Sequence, residues 1–476
     1  MTMKIKLTLF FLLFSLMAFS HSGKPKYHVI IDTDGAVDDM RAISMLLSGN
    51  EIRVLAITCS QGTLLPHTVY SKVKLLLFDF HHNGIKVGIS DAVDFKLPEW
   101  SKFAESVLWG NSTIHETEFD ALNSTALLNQ TLKGYPEKIT LIALGSLKTY
   151  ADWLKLNPQM IHKIDRIIWY NNHNIPEGFN YSVSPESFNY IKGLGVNLEI
   201  VANSSDLMVN NNYSKALDTL NSIYARQIVF VNEQISNNHQ QLWDDLLPLY
   251  LNVPILFDIA DEGNIKFVSL PKSLPDNFVY DIINELLVSS AQANTMVFVR
   301  FPTDTLLYKP EYAKSLKTTL YKYGASEWKA ITLTNEIHGH TGIYSIIGAK
   351  MGMRVLDYFN VGVNNLFVTS FAGFTPPLSC LNDGIQISTG ATLGQGLIAV
   401  SDSVSNIPSA IFEFNGQKIK VSVKEEIVKQ MQKDILFGVK TCGSLTDRYW
   451  LYVEELAIKY WSDFDRNLIF DITTIK

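Results

Sequence analysis

Four aspartates fall within eight residues near the start of the chain, at Asp32, Asp34, Asp38 and Asp39. They follow a short apolar run and precede a helical pattern, which predicts a strand, a tight turn and a helix. Their carboxylates would then converge at the carboxyl end of a buried strand, where open α/β sheets place their ligands. Like charges this close resist joint ionisation, and a hard cation with oxygen ligands removes the conflict. The pattern therefore predicts a site for a divalent cation or sugar hydroxyls. The alternative, that Asp38 and Asp39 only complement the helix dipole, leaves the other two acids unexplained.

A second set of side chains suited to metal binding lies in the last third of the chain, at His338, His340, Cys380 and Asp383. Two histidines and one cysteine are suitable zinc ligands, and three protein ligands leave one coordination position open. His338 and His340 are two residues apart, so an extended backbone would place both on one face. Asp383 is a candidate fourth ligand, a partner to a histidine, or a helix cap. The alternative is that Cys380 is a small buried hydrophobe and that the histidines are structural.

The bulk properties indicate a folded protein of more than one domain. The chain has 476 residues, of which 47% are hydrophobic and 18% charged, so two or three domains are expected. A net charge of −7 and the lack of a Lys/Arg-rich run argue against a nucleic-acid partner. Three cysteines do not make a disulfide framework. The sequence leaves a homo-oligomer open.

The first twenty residues have the pattern of a secretory signal. Lys4 and Lys6 form a basic start, residues 7–19 are apolar, and Ala18-Phe-Ser20 offers small residues at a cleavage point. We therefore expect a signal peptide at 1–20 and an exported chain, periplasmic or extracellular. An uncleaved anchor is the alternative, although the apolar run is short for a spanning helix. No later segment has spanning length without charges, so the mature chain should lack a membrane span.

The middle of the chain alternates short β-rich runs with helical stretches. The predicted strands are 28–31, 54–58, 139–143, 167–170, 198–201 and 296–299, and the helices between them include 42–47, 70–78 and 148–156. This alternation predicts an α/β fold, a mainly parallel sheet flanked by helices. The pattern changes near Gly324, after which we expect helices at 344–359, 424–437 and 450–461 and a strand at 365–369. The predicted domains are therefore 25–324 and 325–476.

The first domain resembles the inosine-uridine-preferring nucleoside hydrolases. The resemblance rests first on Asp32-Thr-Asp34-Gly-Ala-Val-Asp38-Asp39, which is similar to that family's N-terminal aspartate motif. Weaker matches follow in the family's order, at Leu55-Ala-Ile-Thr58 with Gly62, Ile142-Ala-Leu-Gly145-Ser-Leu147, Phe179-Asn180 with Pro185-Glu186, and Trp243-Asp244 with Leu246. The likeness covers residues 27 to 320 and implies a nucleoside hydrolase-like sheet.

The resemblance also implies an activity, the calcium-dependent hydrolysis of an N-glycosidic bond in a small ribosyl-type substrate. It assigns calcium to three carboxylates and one main-chain carbonyl, at Asp34, Asp39, Asp244 and Lys148. It makes Asp34 the general base that activates a water, and it gives the sugar hydroxyls to Asp38, Asn180 and Asp244. Calcium tolerates irregular oxygen geometry, and surrounding negative charge favours an oxocarbenium-like transition state.

The chain departs from the family where the leaving group would bind. Trp243 stands at the slot of the histidine that can protonate the departing base, and an indole only donates a hydrogen bond. Trp243 could instead stack on a flat group. Gly178 occupies the position of the glutamate in the family's Glu-Phe-Asn segment, although Glu177 is the next residue along. Thr63 occupies the position of an asparagine in the loop after the second strand. The proton could come from His173, His239 or Tyr181, or these residues could be purely structural. The substrate is therefore not necessarily a common nucleoside.

The second domain resembles the FmdE family, whose name refers to formylmethanofuran dehydrogenase. Two separated stretches carry the likeness over 325–476: Glu336-Ile-His338-Gly-His340-Thr-Gly342 with Gly348-Ala-Lys-Met-Gly352-Met-Arg354, and Ser379-Cys380-Leu-Asn-Asp383-Gly-Ile-Gln386 with Thr389-Gly390-Ala-Thr-Leu-Gly394-Gln-Gly396. The resemblance implies an α+β domain whose His/Cys/Asp cluster can hold a metal, with zinc the candidate. The family's C-terminal cysteine-rich knuckle is absent, and Ala391 stands where a cysteine is often found.

Three functions remain open from the sequence. The leading one is an exported, calcium-dependent N-ribosyl hydrolase with an FmdE-like domain of unknown chemistry. The second is a non-catalytic protein that binds a pentose or nucleoside. In the third, the chemistry belongs to the metal-binding second domain and the first is a scaffold.

Overall fold

The computed structural model describes residues 25–110, 121–171, 175–202, 207–209, 211–235, 241–288 and 295–475. The predicted signal peptide at 1–20 lies outside these residues. The chain divides into two compact units, one of Pro25–Gln292 with Arg354–Val361, and one that contains Ala293–Met353 and Gly362–Lys476.

The first unit is organised by a nine-stranded sheet of order β4-β3-β2-β1-β5-β6-β7-β9-β8. Its strands are β1 (Tyr27–Thr33), β2 (Ile52–Cys59), β3 (Lys86–Ile89), β4 (Leu122–Asn123), β5 (Ile139–Ala143), β6 (Ile164–Tyr170), β7 (Leu198–Ala202), β8 (Asp258–Glu262) and β9 (Ile265–Ser269). Neighbouring strands are parallel except for the antiparallel pair β8 and β9. The predicted mainly parallel sheet is confirmed. The predicted strand at 296–299 is wrong: that segment is irregular, and Val297 and Val299 are exposed.

Helices cover both faces of this sheet. They are α1 (Val37–Ser48), α2 (Pro66–Asp79), α3 (Ser101–Ser106), α4 (Ser124–Leu132), α5 (Lys148–Leu156), α6 (Phe179–Val183), α7 (Pro185–Gly193), α8 (Asn211–Asp218), α9 (Ile223–Asn232), α10 (Leu246–Asn252) and α11 (Asp276–Val288). Adjacent residues of β1 serve different cores, since Ile31 packs into one apolar cluster and Ile30 into another. Burial on both faces explains why the central strands are continuously apolar. At their carboxyl ends β1 and β2 carry the polar residues Asp32, Thr33 and Thr58, and the candidate site lies at this edge of the sheet.

The second unit has a separate five-stranded sheet of order β11-β10-β12-β13-β14. The strands are β10 (Phe367–Ser370), β11 (Ile398–Val400), β12 (Ser409–Phe414), β13 (Gln417–Val423) and β14 (Phe470–Ile475). Only β10 and β11 pair in parallel. The helices are α12 (Pro310–His338), α13 (Ile343–Phe359), α14 (Leu381–Thr389), α15 (Glu425–Cys442) and α16 (Asp447–Asp463). A mixed sheet with helices confirms the predicted α+β character.

The predicted domain boundary falls at a break inside α12. Gly324 has φ +80° and ψ 169°, which interrupts the helix at that residue. The domain limits 25–324 and 325–476 stay predictions. No helix in the described part of the chain is long and apolar enough to cross a lipid bilayer.

Candidate functional site

The acidic motif occupies the junction between the central strand β1 and helix α1. Strand β1 ends at Thr33 and α1 begins at Val37, so Asp34 lies just past the carboxyl end of the sheet. Gly35 makes the turn possible, because it has φ +79° and a Cβ there would lie 3.0 Å from Val69 Cγ2. The strand, turn and helix predicted from the motif are therefore all present.

Three carboxylates meet at this junction. One oxygen from each of Asp38, Asp39 and Asp244 lies within 4.8 Å of the others. Asp39 Oδ2 also accepts hydrogen bonds from Thr33 Oγ1 at 2.7 Å and from the Asp34 amide at 3.0 Å. The segment before α10 thus brings Asp244 to the start of α1, although the two are far apart in sequence.

The charges in this cluster oppose one another. Burial raises the pKa of Asp38 to about 7, and the neighbouring charge of Asp39 adds to the rise. Burial also raises the pKa of Asp34 and of Asp244 well above the ordinary value, with the charge of Asp39 next in importance for each. Such a cluster holds protons near neutral pH unless a cation compensates its charge.

Two oxygens of the cluster test whether the residues fit a cation. Asp34 Oδ1 and Asp244 Oδ1 are buried and have no hydrogen-bond partner among the described residues. A buried acceptor without a partner loses roughly 1–3 kcal/mol, and more when it is charged. A hard cation supplies the missing partner to several oxygens at once. The donor set therefore fits a divalent cation of the calcium type.

Loops after two strands enclose the carboxylate of Asp34. A Cβ placed on Gly62, after β2, would lie 2.7 Å from Asp34 Cγ. A Cβ on Gly145, after β5, would lie 3.1 Å from Asp34 Cβ. Thr63 hydrogen-bonds Asp34 through both its side chain and its backbone. In the sequence these two glycines were only part of the resemblance, although a glycine two or three residues after a buried strand indicates a close approach of the backbone.

Asp32 has a different environment from the other three acids of the motif. Its Oδ1 accepts from Thr58 Oγ1 at 2.6 Å and its Oδ2 from Ser60 Oγ at 2.7 Å. Burial raises its pKa to about 7 even though these hydroxyl bonds act in the opposite direction. Both oxygens are thus engaged by β2 and the residue after it. Asp32 ties the central strands together beneath the cluster.

In the second unit, His338 lies close to His340 and to Asp383, but among the described residues no three of the four predicted ligands have ligand atoms within 4.8 Å of one another. The rings of His338 and His340 have centroids 4.3 Å apart, and His338 Nδ1 lies 2.7 Å from Asp383 Oδ2. The segment is not extended, the condition under which both histidines would share one face: His338 ends α12 and Gly339 caps it in the left-handed conformation. Close approach of the rings comes from this helix end rather than from a strand.

The geometry of His338 suits a metal ligand. Its Nδ1 faces Asp383, and its Nε2 is buried with no hydrogen-bond partner among the described residues. A carboxylate on one ring nitrogen orients the other for a metal. Burial lowers the pKa of His340, which favours the neutral imidazole that ligates metals. Cys380 precedes α14, and burial followed by the charge of Asp383 raises the pKa of its thiol.

Two known families match this chain, one in each part. Residues 29–239 match the family described as inosine-uridine preferring nucleoside hydrolase, and residues 337–460 match FmdE, molybdenum formylmethanofuran dehydrogenase operon. This chain joins a nucleoside hydrolase-like domain to an FmdE-like domain. Both resemblances drawn from the sequence are confirmed.

Individual relatives match part of the first domain. The pyrimidine-specific ribonucleoside hydrolase RihA of Salmonella arizonae is 30% identical over 180 residues, which is 35% of this chain and 57% of that protein. RihA of Citrobacter koseri is 29% identical over 179 residues, again 35% and 57% of the two chains. The chain thus spans 57% of the length of these curated relatives.

Solved structures also resemble part of this chain. The inosine-uridine preferring nucleoside hydrolase from Bacillus anthracis aligns with a TM-score of 0.47 and 17% identity, over 55% of this chain and 99% of that one. A purine-preferring ribonucleoside hydrolase from Gardnerella vaginalis aligns with a TM-score of 0.47 and 15% identity, over 55% and 99%.

Within the nucleoside hydrolase-like domain, Asn180 is fixed by the ends of two strands. Its Nδ2 donates to the carbonyl oxygens of Leu144 at 2.6 Å and Tyr170 at 3.0 Å. These bonds use both amide hydrogens, so the amide oxygen is the part of the side chain left to accept a hydrogen bond. The neighbouring Gly178 has φ +109°, and a Cβ there would lie 2.8 Å from Asn171 Cγ. The glutamate expected at this slot therefore could not be restored without moving Asn171.

Three of the remaining predicted residues, Lys148, Trp243 and Tyr181, belong to the part of the chain that the structure describes. Lys148 begins α5, and its Nζ lies 2.5 Å from Asp152 Oδ2, so its charge is directed to that carboxylate. Its role as a main-chain ligand stays a prediction. Trp243 is 43% exposed. Tyr181 packs edge-on against Phe188, and His173 and His239 lie outside the described residues.

Proposed function

We propose that the nucleoside hydrolase-like domain hydrolyses the N-glycosidic bond of a ribonucleoside-type substrate with calcium as its cofactor. The observation that carries the proposal is the cluster of Asp38, Asp39 and Asp244 together with two buried oxygens, Asp244 Oδ1 and Asp34 Oδ1, that have no partner among the described residues. The ligands would be the carboxylates of Asp34, Asp39 and Asp244 and the main-chain carbonyl of Lys148. Asp38 would remain beside the cation, within reach of the sugar.

Calcium, when bound, would lower the pKa of a water and orient it toward the anomeric carbon. Asp34 would accept the proton of that water as the general base. Its enclosure by Gly62 and Gly145 fixes the carboxylate in one position, which proton transfer at hydrogen-bond distance requires. The charge of the cluster, held in a buried site, would stabilise the positive charge that develops on the sugar ring.

The sugar would be oriented by acceptors on two sides. Asp38 would accept from one hydroxyl, the Asn180 amide oxygen from another, and Asp244 would be shared between cation and sugar. Each is anchored in the backbone: Asp38 lies in the first turn of α1 and Asn180 donates to two strand ends. Holding the reacting groups in this way lowers the entropic part of the barrier.

The leaving group would be a flat ring that does not depend on protonation by residue 243. Trp243 is partly exposed and can stack, but it cannot release a proton near neutral pH. Aromatic rings lie beside Asn180 as well: the ring centroid of Phe179 lies 5.8 Å from that of Phe95 and 5.1 Å from that of Trp100. Gln61 fixes the loop of Phe95, since its amide bonds the Phe95 carbonyl and the Val93 N–H, each at 2.9 Å.

The test is release of reducing sugar from inosine, uridine and p-nitrophenyl riboside, with and without a chelator. We expect chelator-sensitive release that is fastest with p-nitrophenyl riboside, whose leaving group needs no proton. Asp34→Asn should abolish release, and Asp165→Asn, an exposed carboxylate at the other end of β6, should not. Tight binding of nucleosides without any release would favour the binding-protein alternative.

We also propose a zinc site in the FmdE-like domain, held by His338, His340 and Cys380. The supporting observation is the buried, unpartnered Nε2 of His338 opposite its bond to Asp383. Zinc content of the purified full chain should be near stoichiometric and should drop in His338→Ala, but not in His162→Ala, an exposed histidine. Turnover that survives Asp34→Asn and fails in His338→Ala would assign the chemistry to this domain instead.

Export of the chain is a further part of the proposal, supported by the basic and apolar pattern at residues 1–20. Edman sequencing of protein recovered from the secreted or periplasmic fraction should begin close after Ser20. Recovery of the intact amino terminus in the cytoplasm would contradict it.

A further inference from the structure

A buried guanidinium–carboxylate pair lies directly behind the acid cluster. Arg41 Nε donates to Asp245 Oδ1 at 3.0 Å, and its terminal nitrogen donates to Asp245 Oδ2 at 2.9 Å. The same nitrogen donates to the Gln241 carbonyl at 2.6 Å. Arg41 is 1% exposed and Asp245 2%. Two parallel hydrogen bonds plus a third to the backbone hold the segment of residues 241–245 in one orientation.

This pair acts on both sides of the cluster. Arg41 lies three residues after Asp38 in α1, and Asp245 directly follows Asp244. A carboxylate oxygen of Asp244 lies within 4.8 Å of one of Asp39, whereas its neighbour Asp245 bonds Arg41. Helix α1 therefore meets the same short segment at two adjacent residues, with Asp39 beside Asp244 and Arg41 bonded to Asp245. The Arg41–Asp245 bonds are the attachment that fixes the backbone on which Asp244 is carried.

Stability alone is a weak reason for such a pair. Removing two charges from water costs several kcal/mol each, and well-packed apolar residues often stabilise a fold as well or better. A planar fork that grips a carboxylate at two points does supply a fixed orientation, which an apolar pair does not. Asp245 is the residue after Asp244, whose buried Oδ1 has no partner among the described residues. A fixed orientation of this segment therefore also fixes the orientation of the Asp244 carboxylate.

We infer that Arg41 and Asp245 are positioning residues that hold Asp244 in place as a cation ligand. The inference rests on the proposed cation site and adds to it two residues that do not touch the cation or the substrate. It also separates two effects of Arg41, because the guanidinium carries a positive charge and its helix α1 also carries Asp38 and Asp39. The positive charge of Arg41 disfavours binding of a cation nearby, whereas its hydrogen bonds to Asp245 help to orient Asp244, the proposed cation ligand.

These two effects can be distinguished by replacing both partners together. Arg41→Met with Asp245→Leu removes one positive and one negative charge, so the net charge near the cluster is unchanged. If the pair contributed only charge, the calcium affinity would stay the same. If it positions Asp244, affinity should fall, by about tenfold or more as for other groups that orient metal ligands. Arg41→Lys, which keeps the charge and loses the fork, should weaken binding in the same direction.

The experiment is calcium titration by calorimetry on the full chain, with thermal unfolding in chelator as the second readout. In the double variant we expect the dissociation constant to rise about tenfold or more while the melting temperature in chelator is kept. The matched control is Glu199→Gln, which breaks the ion pair with Arg166 near the amino ends of β6 and β7. It should lower the melting temperature without changing the calcium affinity.

Each outcome decides between the two proposals. Calcium affinity equal to the wild type in both the double variant and Arg41→Lys overturns the positioning role and leaves the cation site intact. Wild-type protein that binds no calcium overturns the cation site, and the positioning role with it. Should the double variant fail to fold, Arg41→Lys carries the same decision by itself.

Discussion

Gly62→Ala is the substitution that should most selectively damage the acid cluster. The atom nearest to the added methyl would be Asp34 Oδ2, and behind it Asp34 Cγ would lie 2.7 Å and Asp34 Cβ 2.9 Å from the methyl. Ordinary van der Waals contact begins near 3.4 Å, so the carboxyl carbon would have to move by about 0.7 Å and Oδ2 by more than that. Gly62 has no left-handed φ, so alanine fits its backbone conformation.

A shift of this size matters because Asp34 is both the proposed base and a proposed ligand. A misplacement of about 1 Å can reduce catalysis by about 100-fold, so kcat/KM should fall by roughly that factor. Overpacking at a buried site destabilises by about 1–3 kcal/mol, which leaves most of the protein folded. Gly145→Ala should have a smaller effect, because its methyl would lie 3.1 Å from Asp34 Cβ and 3.3 Å from Oδ2.

The assay combines sugar release, calcium titration and thermal unfolding on the two variants and on Gly193→Ala. Gly193 ends α7, has open space around it and serves as the control. We expect loss of activity and of calcium affinity to follow the order Gly62, Gly145, Gly193. A Gly62→Ala protein with wild-type kcat/KM and calcium affinity would show that the carboxylate of Asp34 has no fixed role, and would refute the proposed base.

Three further predictions address the charge, the leaving group and the second metal. Because burial raises the pKa of Asp32 and of Asp38 to about 7, the folded chain retains protons that the unfolded chain releases above about pH 4. Stability in chelator should therefore fall from pH 4 to 7, and the gain in melting temperature from calcium should grow over that range; a constant gain would contradict this. Trp243→His should raise kcat on inosine by about 100-fold and leave p-nitrophenyl riboside nearly unchanged, and an equal gain on both would exclude a role in protonation. Asp383→Asn should weaken zinc binding by about tenfold, measured by competition with a chromogenic chelator, and an unchanged affinity would remove Asp383 as the partner that orients His338.

The sheet could be predicted because its strands are buried on both faces. Continuous apolar runs such as 139–143 and 198–201 coincide with observed strands. The same rule failed at 296–299, where Val297 and Val299 are exposed in an irregular segment. A four-residue apolar run carries no information about whether neighbouring strands exist to cover it.

The acids that are close together in sequence could also be predicted as a group, whereas Asp244, which is far from them in sequence, could be added only through the family resemblance. Asp34, Asp38 and Asp39 are close in sequence, so the turn alone brings them together. Asp244 approaches them through tertiary structure. Nothing in the sequence indicated that Arg41 bonds Asp245, the residue next to Asp244. The separate role of Asp32 depends on strand register, because β1 pairs with β2 so that Asp32 stands opposite Thr58. Spacing along one segment cannot supply such partners.

The two candidate sites share a physical signature that sequence patterns do not contain. In each site a hydrogen-bonded group lies near a buried atom that has no partner among the described residues. In the first site both oxygens of Asp32 accept hydrogen bonds, whereas Asp34 Oδ1 has no partner. In the second site Nδ1 of His338 is bonded to Asp383, whereas Nε2 of the same ring has no partner. A folded chain with enough hydroxyls and amides to satisfy Asp32 could have satisfied Asp34 in the same way. The proposed cations would supply the partners that these atoms lack among the described residues, at the carboxyl end of a sheet and at a helix end.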